Sequence, residues 1–137
     1  MKNLITTIGS MIIIFIFLMQ FVANQLTYTK ILGTEMAVKS FRRNAETAGT
    51  ISDTDITEVK NRISKAVKCD VDDVIIDFKP KDLSGEIEYA VKVPISDVIG
   101  ASKILQLTKE DNQVLYTSSG TIYVSDEEGK KEEEEGT

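Results

Sequence analysis

The chain contains no histidine and no tryptophan, a single cysteine (Cys69) and two prolines. Without histidine, acyl transfer by a Ser-His or Cys-His pair has no base. One cysteine excludes an intramolecular disulfide framework and any multi-cysteine metal centre. No glycine-rich phosphate loop and no dinucleotide fingerprint occurs. Asp70, Asp72, Asp73 and Asp77 lack the regular spacing and closing glutamate of a calcium loop, so they read as a solvated helix-to-strand connection. Cys69 has only Lys68 beside it and reads as a small buried apolar residue. The expectation is therefore no catalytic, cofactor-binding or metal-binding residue, no small-molecule substrate and no enzyme activity.

Charge is unevenly distributed. Residues 1–48 carry a net +3, residues 49–125 a net −4 and residues 126–137 a net −5, for −6 overall. An acidic chain without a basic face is a poor partner for nucleic acid. The tail 126–137, with Glu132-Glu133-Glu134-Glu135, has nothing to bury and is expected to be disordered.

Against these absences stands one long apolar run. Leu4 to Ala23 holds no charge, and its centre is Met11, Ile12, Ile13, Ile14, Phe15, Ile16, Phe17, Leu18 and Met19. About 20 apolar residues match a hydrocarbon core of about 30 Å. The β-branched and aromatic content would favour a strand in water, but in lipid a lone segment must satisfy its own backbone as a helix. A cleaved signal peptide would want small residues at the cleavage site, and Phe21-Val22-Ala23 puts a bulky ring there. A buried core helix would need a larger domain around it than follows here. The run is therefore read as an uncleaved, single-pass membrane anchor, with the bilayer as its partner. Gln20 is read as a headgroup-level residue without a specific contact. Lys2 favours an N-terminus on the cytoplasmic side, whereas Lys30, Lys39, Arg42 and Arg43 after the run argue the reverse.

The helical pattern continues beyond the run. From Asn24 to Ala48 there is no proline, and Ile31, Thr34, Val38, Phe41, Ala45 and Ala48 recur at spacings of three and four. One helix over about residues 3–48 would be roughly 70 Å long, with Gly49 as its stop. The seam Ile31, Val38, Phe41 and Ala45 has two compatible uses, packing on the chain's own domain or contact with neighbouring subunits.

Residues 49–125 read as a small α+β domain. Ser52-Asp53-Thr54-Asp55 offers caps for an amphipathic helix over 54–68 with Ile56, Val59, Ile63, Ala66 and Val67 on one face. Val74, Ile76 and Phe78 alternate with polar or outward positions. After a loop at 79–85, Ile87, Tyr89, Val91, Val93 and Ile95 alternate with Glu86, Glu88, Ala90, Lys92 and Pro94. Ile104–Leu107 suggests a third strand; Val114–Tyr116 and Thr121–Val124 suggest a fourth, continuous or folded at Ser119-Gly120. The expected architecture is a three- to four-stranded antiparallel sheet with the helix on one face.

This plan resembles the type IV pilins and pseudopilins, and more narrowly the TadE-like minor pseudopilins of tight-adherence pilus systems and similar Gram-positive pilin-like proteins. The residues that carry the resemblance are Met11 to Met19, the continuation through Phe41-Arg42-Arg43, and the segments Tyr89-Ala90-Val91-Lys92-Val93-Pro94 and Ser119-Gly120-Thr121-Ile122-Tyr123. It implies a pilin-like structural subunit of the cell membrane, its domain extracytoplasmic, with other pilin-like subunits as partners through the N-terminal helix. A membrane-tethered binding module that never polymerises is the alternative. Many members carry a small residue before the apolar run and a glutamate five positions into the mature chain. Gly9 is such a small residue here, and the fifth position after it is Ile14.

Overall fold

The structure is a computed structural model, described over residues 1–81 and 85–124. The acidic tail at 126–137 lies outside the described residues, as does the centre of the 79–85 loop. Helix α1 (Lys2–Ala48) is unbroken over 47 residues. Its stop is the expected one: Gly49 takes the left-handed conformation at φ 70°. Helix α2 (Asp53–Val67) starts from Ser52 through a reciprocal capping box. Asp55 N–H donates to Ser52 Oγ at 3.2 Å, and Ser52 N–H donates to Asp55 Oδ2 at 3.3 Å. Such a cap contributes about 1 kcal/mol and satisfies two of the backbone donors at the start of the helix.

A 3-10 turn over Val71–Asp73 leads into the sheet, whose strands are β1 (Ile75–Lys81), β2 (Glu86–Ser96) and β3 (Gln113–Tyr123). All pairing is antiparallel in the order β1-β2-β3. Phe78 stands opposite Tyr89, and Val91 opposite Ser118. Both helices cover one face. Val91, Val93 and Ile95 of β2, Ile122 of β3, Val59, Ile63 and Val67 of α2, and Val38, Phe41 and Ala45 of α1 form one buried core. The opposite face carries Asp77, Glu88 and Lys92, with Lys92 Nζ 3.1 Å from Asp77 Oδ2. The alternation read along 86–95 is thus the observed one, with Tyr89, Val91, Val93 and Ile95 buried.

Two expectations are corrected. Residues 104–107 form no strand. Ile104 and Leu105 N–H groups both return to Ala101 O, and Leu107 N–H returns to Ser102 O, so the segment closes on itself as turns. The loop after β1 starts later than expected, because Lys79, Pro80 and Lys81 pair with Glu88, Ile87 and Glu86. Proline is tolerated there since β1 is an edge strand with one unpaired side. Of the two alternatives for the C-terminal segment, the continuous one is observed: β3 passes through Ser119-Gly120 as a single strand, and the sheet has three strands, within the expected three to four.

Candidate functional site

The two halves of α1 live in different surroundings. From Leu4 to Leu18 every large apolar side chain is exposed; Phe17 is 72% and Ile14 58% exposed. This is long and apolar enough to cross a membrane by length and composition, and none of its most apolar stretch is buried in the protein. A core-helix role for the run is thereby removed. The upper half is the reverse case. Val38, Phe41 and Ala45 are buried in the domain's own core, Ile31 packs against it, and the Phe41 and Phe78 ring centroids are 6.1 Å apart. The Ile31–Ala45 seam is therefore occupied by the chain's own sheet and second helix. Ala48, the last member of the stripe, is exposed.

Between the halves, the domain grips the helix. Strand β2 runs down α1 toward the apolar half, and its end is held by Lys30, whose Nζ donates to Ser96 O at 2.7 Å and lies 3.8 Å from Asp97 Oδ2. Lower still, Gln20 Nε2 donates to Val98 O at 3.1 Å, while Gly100 N–H donates to Gln20 Oε1 at 3.1 Å. A Cβ on Gly100 would lie 2.3 Å from Met19 O, so only glycine lets the loop backbone approach the helix this closely. Gln20 is thus a two-point clamp, in place of the contact-free residue expected. Nothing within the apolar run announces a partner some 80 positions away. A second tie joins the edge of the sheet to α1, where Tyr116 Oη donates to Glu35 Oε1 at 2.6 Å.

That hydrogen bond, with burial, pushes the Tyr116 phenol from its ordinary value near 10 up to about 12. A raised acid pKa in the fold means its stabilising contribution is whole below pH 10 and is lost as pH rises toward 12. Denaturation midpoints measured across that window should fall, and Tyr116→Phe should remove this part of the fall. An unchanged alkaline profile in that variant would dismiss the contact.

The residues weighed for chemistry remain scattered. The Cys69 thiol is shifted upward, first by burial and then by the Asp73 carboxylate, which favours the unreactive protonated form. Ser64 Oγ donates to Cys69 O at 2.6 Å, tying this residue to the end of α2. Among the described residues no group of three metal-ligating side chains is gathered. Open surface concavities lie over the polar face of α2 around Asp53 and Arg62, over the outer sheet face around Asp77 and Lys92, and beside Cys69, Asp70 and Asp73. No protein-family model, curated protein or solved structure matches the chain.

Proposed function

We propose that this chain is a non-enzymatic, membrane-anchored structural subunit of the pilin-like kind, held in the bilayer by α1 and contributing that helix to a pilus or secretion filament. One observation carries the reading: a single continuous helix exposes every large apolar side chain from Leu4 to Leu18 and is built into an antiparallel α+β domain in its second half. Before assembly the exposed half has lipid as its solvent. In a filament the same side chains would pack on the corresponding halves of neighbouring subunits, so contact surface between subunits is assigned to Met11 through Met19. The Ile31, Val38, Phe41 and Ala45 seam is spent inside the fold and is not available for it.

The tethered-module reading keeps one specific support. No charge occurs from Asn3 to Thr29, and Ile14 stands where pilins carry a helix-registering carboxylate. Such an anchor has no charged group to set its position against a neighbour. Cross-linking separates the two. After Cys69→Ala, Phe15→Cys with Phe17→Cys, two thiols on opposite faces of α1, should give a ladder of disulfide-linked products in native membranes treated with a membrane-permeant oxidant. A monomer band alone, with the protein confirmed in the membrane fraction, would reject assembly and leave the tethered module.

A further inference from the structure

We propose that the loop joining β2 to β3, residues 97–112, is a second lipid-contacting element that seats the domain on the bilayer through Ile104 and Leu105. This inference rests on the anchor reading of α1. Because β2 runs toward the apolar half of the helix, the 97–112 loop is the part of the domain nearest the bilayer. The clamp fixes its height. Val98 and Gly100 meet Gln20, and Gly100 abuts Met19, so the loop touches α1 inside the apolar run and about one helical turn, roughly 5 Å, before the run ends at Ala23. That depth is the headgroup–acyl boundary, where monotopic elements bury their apolar side about 5–10 Å deep.

The loop is made for such a place. Ile104 and Leu105 are adjacent, 58% and 60% exposed, and take no part in the domain core. In water two neighbouring aliphatic side chains on a loop tip gain nothing; against lipid their burial is favourable. Part of the backbone beneath them is paired internally, through Ser102 N–H to Ile99 O at 3.2 Å, Ile104 N–H to Ala101 O at 2.9 Å, Leu105 N–H to Ala101 O at 3.0 Å and Leu107 N–H to Ser102 O at 3.0 Å. This internal pairing lowers the cost of an irregular segment at the headgroup–acyl boundary, where headgroups and water can meet the remaining polar groups. Asn112, 5% exposed, closes the base of the loop, its Oδ1 accepting from Ile99 N–H at 2.6 Å and its carbonyl from Asp97 N–H at 2.9 Å. Lys103, exposed beside the apolar pair, has the long stem that lets an ammonium reach the phosphate level while its neighbours sit deeper. With both α1 and this loop engaged, the domain has a fixed orientation on the membrane rather than free rotation about the helix axis.

The test uses the full chain carrying Cys69→Ala, reconstituted in phosphatidylcholine–phosphatidylglycerol vesicles, with an environment-sensitive fluorophore on a new cysteine. Ile104→Cys and Leu105→Cys should show blue-shifted emission, quenching by lipids with a shallow nitroxide, and at least about threefold less iodide quenching than Thr121→Cys on the outer sheet face, as befits a site in the interfacial layer. Phe15→Cys reports the anchor by itself. Nitroxide quenching at Phe15 with full iodide access at 104 and 105 would overturn the loop contact alone. Absence of nitroxide quenching at Phe15 would overturn the anchor reading, and the loop contact with it.

Discussion

Phe41→Glu should unfold the domain. Phe41 is 5% exposed, belongs to the buried core and packs on Phe78 of β1. Removing a buried ring costs about 3–5 kcal/mol. A carboxylate left unpaired in the same space adds several more. Against a total stability of about 5–15 kcal/mol for a whole domain, this leaves little or none. The readout is the full chain in detergent, because the apolar half of α1 holds its helicity independently of the sheet. Trypsin sites at Lys60, Arg62 and Lys65 on α2 should become cleavable within the dead time of the assay, and the thermal transition of the domain should vanish. Arg42→Glu is the control. Its side chain is 44% exposed and meets only Glu46, at 3.7 Å, so the change should stay within about 0.5 kcal/mol. A Phe41→Glu protein that melts with wild-type cooperativity would mean that the seam is not part of the core and is free for another partner.

The same residue illustrates how far periodicity reaches. Spacings of three and four along Ile31, Thr34, Val38, Phe41 and Ala45 reveal a largely apolar stripe, and the stripe is there. They carry no information about which surface covers it, since a chain's own sheet and a neighbour's helix demand the same residues. The strand β2 was legible because its alternation from Ile87 to Ile95 is strict and its register is the only one that hides Tyr89, Val91, Val93 and Ile95 together. By contrast β3 reads from sequence as either continuous or folded, because Ser118-Ser119-Gly120 has little intrinsic strand preference. Tertiary packing overrides that: Gly120 faces Tyr89, whose ring and hydroxyl fill the space a Cβ would need, with Oη only 2.7 Å from it. Ile104-Leu105-Gln106-Leu107 misled in the opposite direction. Its composition is that of a strand, yet no neighbouring strand lies beside it, and its donors turn back on Ala101 and Ser102. Gln20 was beyond reach for a related reason. A polar residue in an apolar run advertises its cost of burial but not its partner, and the partner here is backbone at Val98 and Gly100.

Placing two arginines at the centre of the run, Ile13→Arg with Ile14→Arg, should move the protein out of the membrane without harming the domain. The run from Leu4 to Ala23 contains twelve Leu, Ile, Val and Phe residues. On an insertion scale each contributes at most about 0.3–0.6 kcal/mol at the bilayer centre, whereas each central arginine opposes insertion by about 2.5–3.5 kcal/mol. The pair therefore offsets most or all of the driving force. Both side chains are more than half exposed and touch nothing in the α+β domain, so the fold has no reason to respond. Alkaline carbonate extraction measures the first half of this expectation, with wild type in the pellet and the double variant in the supernatant. Trypsin resistance of α2 measures the second. Retention of the variant in the pellet would show that the run does not span, and that the domain or another chain holds the protein there. Collapse of trypsin resistance would show instead that Leu4–Ala23 folds back on the domain as a covering helix, and its exposed side chains would then need a protein partner in place of lipid.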